Sequence, residues 1–146
     1  QTNGTIVIDS SGLSCGKYET LVDFQSEKGH THANYSPTWI RIDFKSRKCQ
    51  INSYLINSPH TNEDSHAKFF IKSWKVEASL DGNNWEVVDD RKNVTELNGD
   101  YKMHVFNLNK LTEPFRFFRI ITSEDNWCNS NDGFSIGKLE LFGQIY

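Results

Sequence analysis

The stretch ASLDGNNWEVV, residues 78–88, decides the fold of this chain. Residues 73–80 alternate apolar and polar side chains, which is the period of a half-buried β-strand. Asp81 and Gly82 follow, and glycine supplies the positive φ that a tight turn between two strands needs. The pattern predicts a β-hairpin in which Trp85 heads the return strand and packs in the core.

Short segments of the same kind recur along the chain. They are separated by clusters of Gly, Asn, Asp, Ser and Pro, which are typical of turns. The predicted strands span residues 5–8, 39–44, 51–56, 73–80, 85–88, 103–106, 115–122 and 136–142. The run 115–121 is apolar on both faces, as in a central strand, and a short helical turn is predicted between Leu13 and Phe24. About eight short strands predict an all-β sandwich or barrel.

Length, charge and cysteine usage narrow the classes of protein. The chain has 146 residues, enough for one domain with its own core, and a formal net charge of -3. Nucleic acid is not expected as a partner, because Lys and Arg form no cluster. Cys15, Cys49 and Cys128 are odd in number and show no CxxC spacing. We expect free thiols in a reducing, intracellular and cytoplasmic compartment; one disulfide with one free thiol is the alternative.

Three long polar connections, residues 25–38, 57–68 and 123–133, are the candidate binding segments. Connections of more than about twelve residues are uncommon in small domains and are often functional. We expect the three to meet at one end of the sandwich and form a binding rim. The candidate ligand-binding residues on them are His30, His32, Tyr35, Asn62, Asp64, His66, Trp127, Asn129 and Asn131.

Four motifs in order give a resemblance to a known family. They are WIRIDF at 39–44, SWKVEASLDGNNW at 73–85, FFRI at 117–120 and LELFG at 139–143. Together they resemble the discoidin domain, also called the coagulation factor 5/8 type C domain. The resemblance implies a galactose-binding-like jelly roll, a β-sandwich of about eight main antiparallel strands in two sheets. One domain then occupies residues 1–146, with its core at roughly 21–143.

The resemblance also carries expectations about metal and location. Jelly-roll relatives hold a structural calcium ion near the first long loop, and Asp23 and Glu140 match the positions of its ligands. The Asp-Gly-Asn that follows in those relatives is absent, because Asp23 leads into Phe24. Residues 89–93 look more like the intracellular branch of the family, found beside BTB, kelch or ubiquitin-ligase modules. The missing Asp-Gly-Asn counts against the calcium ion that the resemblance implies at Asp23 and Glu140, and no other cofactor is expected.

The predicted function is recognition without catalysis, as part of a larger protein. The chain has no nucleophile elbow, HExxH, P-loop or GxGxxG motif, so we do not expect an enzyme. The first interpretation is a protein or peptide partner bound by the long loops; the alternative is a carbohydrate held by the same loops, with Trp127 as a stacking platform. A structural role of Trp127, capping the core, is weighed equally. A membrane surface is disfavoured because no basic collar surrounds Phe69 and Phe70, and the oligomeric state is not predicted.

Overall fold

The alternating segments of the sequence form the strands of a β-sandwich in a computed structural model of the chain. It describes residues 6–16, 31–33, 37–59, 69–130 and 133–146, with only the backbone at 13–16 and 31. Eleven strands lie in these ranges: β1 Val7–Ser10, β2 Leu13–Gly16, β3 Thr31–Ala33, β4 Thr38–Asp43, β5 Cys49–Asn57, β6 Trp74–Ser79, β7 Glu86–Arg91, β8 Met103–Asn107, β9 Phe117–Thr122, β10 Phe134–Ile136 and β11 Lys138–Ile145. All eight predicted strands are present, with boundaries shifted by a few residues.

The strands form two facing sheets and one smaller sheet. The first has five strands in the order β1-β4-β9-β6-β7, and the second has three in the order β11-β5-β8. A further sheet of three short strands has the order β10-β3-β2. Every strand pair is antiparallel. The all-β jelly-roll sandwich is confirmed, and β9 is central as predicted.

The predicted helical turn between Leu13 and Phe24 is wrong where the structure describes it. Leu13–Gly16 is strand β2, which pairs with β3. Residues 17–24 lie outside the described part. The strands β2, β3 and β10 were missed because each has only three or four residues, too few for a period to show. In the described ranges no helix is long and apolar enough to cross a membrane.

The core lies between the five-stranded sheet and the β11-β5-β8 sheet. Its buried apolar side chains include Ile40, Ile42, Tyr54, Ile56, Trp74, Val76, Ala78, Phe106, Phe118, Ile120 and Leu139. Trp74 of β6 is 1% exposed and meets Phe106 of β8 edge to face, with ring centroids 5.1 Å apart. Burying side chains of this size is worth about 1.5–3 kcal/mol each, so these contacts hold the sheets together.

The hairpin β6–β7 forms where ASLDGNNWEVV predicts it, but its connection is longer than an Asp-Gly turn. Residues 80–85 link the two strands. Gly82 has the predicted positive φ, 80°. Asp81 instead acts through its side chain: Oδ1 accepts hydrogen bonds from the backbone N–H groups of Asn83 and Asn84, both at 2.8 Å. These side-chain hydrogen bonds close the turn, so the connection can be longer than the predicted two-residue loop.

The prediction that Trp85 belongs to the core is wrong. Its ring is only half-buried, and it lies with Arg119 and Glu77 on the outer face of the five-stranded sheet, away from Trp74. The guanidinium of Arg119 sits 3.8 Å from the Trp85 ring centroid, and the Phe117 ring is 6.3 Å away. A strand alternates its two faces, so the residue that heads β7 need not share the face of Trp74.

Candidate functional site

The three long connections are rooted at the same ends of their strands. Thr38, where β4 begins, pairs with Thr122, where β9 ends. Asn57, where β5 ends, pairs with Lys138, where β11 begins. Each connection starts or stops at one of these strand ends, so the expected meeting at one end of the sandwich has a basis in the strand register. We call this end the loop end.

Backbone contacts tie the roots of these connections together across the two sheets. The N–H of Trp127, after β9, donates to the carbonyl of Phe70 at 3.0 Å. Phe70 in turn forms a parallel bridge with Ser135. The N–H of Gly137 donates to the carbonyl of Asn57 at 2.6 Å. The segment after β9 is therefore fixed against the segment that leads into β6 and against the end of β5.

The Asp-Gly hairpin lies at the opposite end of the molecule. Ser79, the last residue of β6, pairs with Phe117, the first of β9, whereas Thr122 at the other end of β9 belongs to the loop end. Phe115 and Cys49 form an isolated bridge beside this hairpin end. The segment that identifies the fold is thus separated from the candidate site by the length of the strands.

Trp127 is anchored at the loop end by a hydrogen bond of its indole nitrogen. Its indole N–H donates to the carbonyl of Val94 at 2.9 Å. The ammonium of Lys72 lies 4.7 Å from the ring centroid, a cation–π distance. The ring is half-buried, so part of it stays open to solvent. Trp127 therefore packs against the protein and also keeps part of its surface exposed, and its role as a stacking platform stays a prediction.

The amides around Trp127 divide into one that builds the turn and one that faces solvent. Asn126 is buried: its Nδ2 donates to the carbonyl of Gly133 at 2.8 Å, and its Oδ1 accepts from the N–H of Cys128 at 2.8 Å. Asn129 is exposed and has a positive φ of 58°, a conformation that asparagine tolerates better than most residues. Asn129 is thus the described amide that is available to a ligand.

His32 has a structural place. It is 2% exposed, its Nδ1 lies 2.9 Å from Oγ of Ser135, and its ring packs against Phe69 at 5.2 Å between centroids. These contacts join β3 to β10 and to the segment before β6. The His32 ring is buried and packs beneath the surface of the loop end. We therefore assign it a supporting role and no ligand contact.

The other predicted site residues lie outside the described part of the chain, and their assignments stay predictions. They are His30, Tyr35, Asn62, Asp64, His66 and Asn131 among the ligand-binding candidates, and Asp23 among the metal ligands. Of the ligand-binding set, the structure brings Trp127, Asn129 and the supporting His32 to the loop end.

The described residues do not assemble a calcium site. Among them no group of three or more His, Cys, Asp or Glu side chains could hold a metal ion. Glu140 is half-buried on β11 and shares a strand face with Lys138, which is fully buried. The calcium ion implied by the resemblance stays a prediction that depends on Asp23.

A shallow hollow beside the loop end was not anticipated from the sequence. It has a volume of about 390 Å³ and is lined by Pro37, Trp74, Lys75, Glu77, Lys92, Ile121, Thr122, Ser123 and Glu124. Lys92 and Glu124 form an ion pair across it. No local pattern signals this hollow, because Lys75 and Lys92 read simply as solvent-facing residues of a hairpin. Lys72, over the Trp127 ring, was missed for the same reason.

Cys49 is not placed for nucleophilic chemistry. Cys49 is buried beside Phe115. Burial raises the pKa of its thiol to about 11, so the reactive thiolate does not form near neutral pH. Cys128 is exposed.

Comparison with protein families places the chain. The model of the F5/8 type C domain matches residues 9–136, most of the chain. The chain belongs to the F5/8 type C domain family. A comparison with curated protein sequences found no match.

Solved structures of similar fold include three that contain a bound sugar. One, from Clostridium perfringens, in complex with GalNAc-β-1,3-galactose, has 15% identity and a TM-score of 0.68 and covers 96% of both chains. A chitosan-binding module from Paenibacillus sp. IK-5, in complex with chitotriose, has 17% identity and a TM-score of 0.67 and covers 95% of this chain and 97% of its own. A family 32 CBM from C. perfringens, in complex with galactose, has 10% identity and a TM-score of 0.67, with 97% and 94% covered.

These similarities bear on the two predicted ligands. The three proteins were solved with bound sugars. A non-catalytic binding module is therefore supported for this F5/8 type C domain. The comparisons do not support the protein partner that the sequence analysis placed first on the basis of the cysteines.

Proposed function

We propose that this F5/8 type C domain is a non-catalytic module that binds a glycan at its loop end, as part of a longer protein. The observation that carries the proposal is Trp127, a partly exposed side chain fixed at the end where the long polar connections are rooted. The sugars bound by structural relatives support the same choice.

The chemistry of the loop end suits a hydroxyl-rich ligand. The apolar C–H face of a sugar ring packs on an aromatic side chain, and its hydroxyls need donors and acceptors around that ring. Trp127 offers the aromatic surface, and its bond to Val94 fixes the ring before a ligand arrives, which lowers the entropy cost of binding. Lys72 supplies an ammonium donor beside the ring, and Asn129 supplies an exposed amide.

The first test is binding of defined sugars to the wild type and to Trp127→Ala. Calorimetric titrations use galactose, GalNAc-β-1,3-galactose and chitotriose, and a glycan array covers other sugars. We expect at least one sugar to bind the wild type. The substitution should weaken that affinity about 30-fold, which corresponds to a loss of about 2 kcal/mol at an aromatic hot spot.

A matched control is available in the same chain. Trp85 is also half-buried and also carries a cation over its ring, Arg119 at 3.8 Å, but it lies near the hairpin end. Trp85→Ala should keep the affinity of the wild type, and circular dichroism should show that both variants are folded. Equal losses in the two variants, or an array on which the wild type binds no glycan, would refute the proposal.

A further inference from the structure

Strand β7 is an open edge of the five-stranded sheet. It is the last strand in the order β1-β4-β9-β6-β7, and its ladder partner is β6. Within the described ranges, no backbone hydrogen bond beyond this ladder involves Glu86–Arg91. At the other edge, Ile8 and Ser10 of β1 make further contacts. Alternate residues of an edge strand point their N–H and C=O groups outward, so β7 offers a row of unused donors and acceptors.

A groove runs along this edge. It has a volume of about 450 Å³ and lies between residues 86–89 of β7 and residues 108–113. This volume is within the usual range of ligand sites. Val88 and Leu108 are half-buried against the core, whereas Val87 is 48% exposed and Leu111 is 44% exposed. An added strand would find hydrogen-bonding groups along β7 and apolar contacts for alternate side chains.

The charge of the groove indicates which kind of peptide strand could bind there. Glu86 and Glu113 line it and form no ion pair within the described part of the chain, against the single cation Lys110. Asp89 is already bound by Arg91, with 2.8 Å between Nε and Oδ2. The groove is therefore acidic and complementary to a strand that carries Lys or Arg.

The same charges disfavour a second copy of this chain. The sequence of β7, EVVDDR, carries three carboxylates and one guanidinium. Two copies paired edge to edge would bring two strands of net charge -2 side by side, since three carboxylates outweigh one guanidinium on each, and this repulsion destabilises the pairing. The carboxylates thus protect the edge from self-association while leaving it open to a basic strand.

We propose that β7 is a docking edge at which an extended, basic peptide segment of a partner protein adds as a further antiparallel strand. This site is separate from the loop end. The segment 108–113 is anchored near the hairpin end, where the N–H of Thr112 donates to the carbonyl of Ile51 at 2.9 Å. The proposal stands or falls independently of glycan binding.

The test uses a fluorescent peptide of alternating lysine and valine, titrated against the domain at low salt and followed by anisotropy. Two matched peptides accompany it: one has glutamate in place of lysine, and the other has N-methyl groups on alternate backbone nitrogens. We expect saturable binding of the first peptide below about 1 mM. The glutamate peptide should bind at least about tenfold more weakly, and the methylated peptide, which has lost its strand-forming donors, should not bind.

Two further measurements locate the peptide. Amide hydrogen exchange, followed by NMR, should slow within residues 86–91 when the lysine peptide binds. The double variant Glu86→Lys/Glu113→Lys should weaken binding about tenfold, whereas the control Glu96→Lys, an exposed residue near the loop end, should change it little.

Several outcomes overturn the proposal. No saturation up to about 1 mM does so, as does equal binding of the methylated peptide, because contacts without a strand ladder then suffice. Protection confined to the loop end, or self-association of the domain through β7, assigns the edge to another occupant. A glycan that competes with the peptide would show that the two sites are not separate.

Discussion

Tyr54 links the two sheets through a chain of hydrogen bonds that begins in the core and ends at the surface. The indole N–H of Trp74 donates to the Tyr54 hydroxyl at 2.9 Å, and this hydroxyl donates to Oδ2 of Asp89 at 2.6 Å. Arg91 binds the same carboxylate oxygen. Burial, together with the bond to Asp89, raises the pKa of Tyr54 far above its ordinary value, so the hydroxyl keeps the proton that it donates.

Tyr54→Phe should lower the free energy of unfolding by about 1–3 kcal/mol, because it leaves the buried Trp74 N–H without an acceptor and removes one of the two donors to Asp89. Urea denaturation followed by tryptophan fluorescence measures the change. Tyr146→Phe removes an exposed hydroxyl and should cost no more than about 0.5 kcal/mol. If the two variants lose similar amounts of unfolding free energy, the buried hydrogen bonds of Tyr54 have no special role in stability.

At the scale of one element, the 80–85 turn depends on a charged side chain. The N–H groups of Asn84 and Asn83 donate to Asp81, and they hold the pKa of this carboxyl well below its usual range. The folded state therefore binds the proton of Asp81 less readily than the unfolded state does. The stability from these bonds is complete above the unfolded pKa, near pH 4, and is lost as the pH falls toward the lower folded value.

We expect Asp81→Asn to lower the melting temperature at pH 7 and to lower it progressively less as the pH falls below about 4. Melting curves of the wild type and the variant between pH 7 and pH 2 give this difference directly. If the difference between the two melting temperatures stays constant from pH 7 to pH 2, the charge of Asp81 does not contribute to the stability of the turn.

Elements with a clear period could be predicted, and those without one could not. The strands β4 and β6 alternate over six residues each, and their apolar faces became part of the core, while the apolar run of β9 marked it as a central strand. The short strands β2, β3 and β10 exist through pairing with distant segments, which no local pattern reports. Trp85 was misplaced for a related reason, since the length of the turn sets which face it takes.

The candidate site was predictable only as a region. The length and polarity of the connections located the loop end, but burial within it depends on tertiary contacts. His32 is inside because it meets Ser135, a residue 103 positions away, and Asn126 is inside because its amide closes a turn. Trp127 and Asn129 stay open at the same end. Histidines and amides look alike in a sequence whichever role they take.

Across the whole molecule, we expect a substitution at the hairpin end to lower stability without changing ligand binding at the loop end. Gly82 has a φ of 80°, and a Cβ added there would lie 3.3 Å from Cζ of Phe117. Gly82→Ala should cost about 1–2 kcal/mol of stability through the left-handed backbone. The glycan affinity of the folded variant should match that of the wild type. Calorimetric titration beside urea denaturation tests both statements, and weaker binding by a fully folded variant would contradict the separation.

The distance between the hairpin and the loop end has a consequence for how relatives of this domain are recognised. Most residues that identify the family serve the sandwich itself, so whole-chain similarity groups these domains by scaffold. The residues that choose the ligand can then differ between two of these domains with little effect on their whole-chain similarity. Relatives with 10% and 19% identity share the architecture. Inheritance of the scaffold and inheritance of the ligand are separate questions, and only a comparison restricted to the loop end addresses the second.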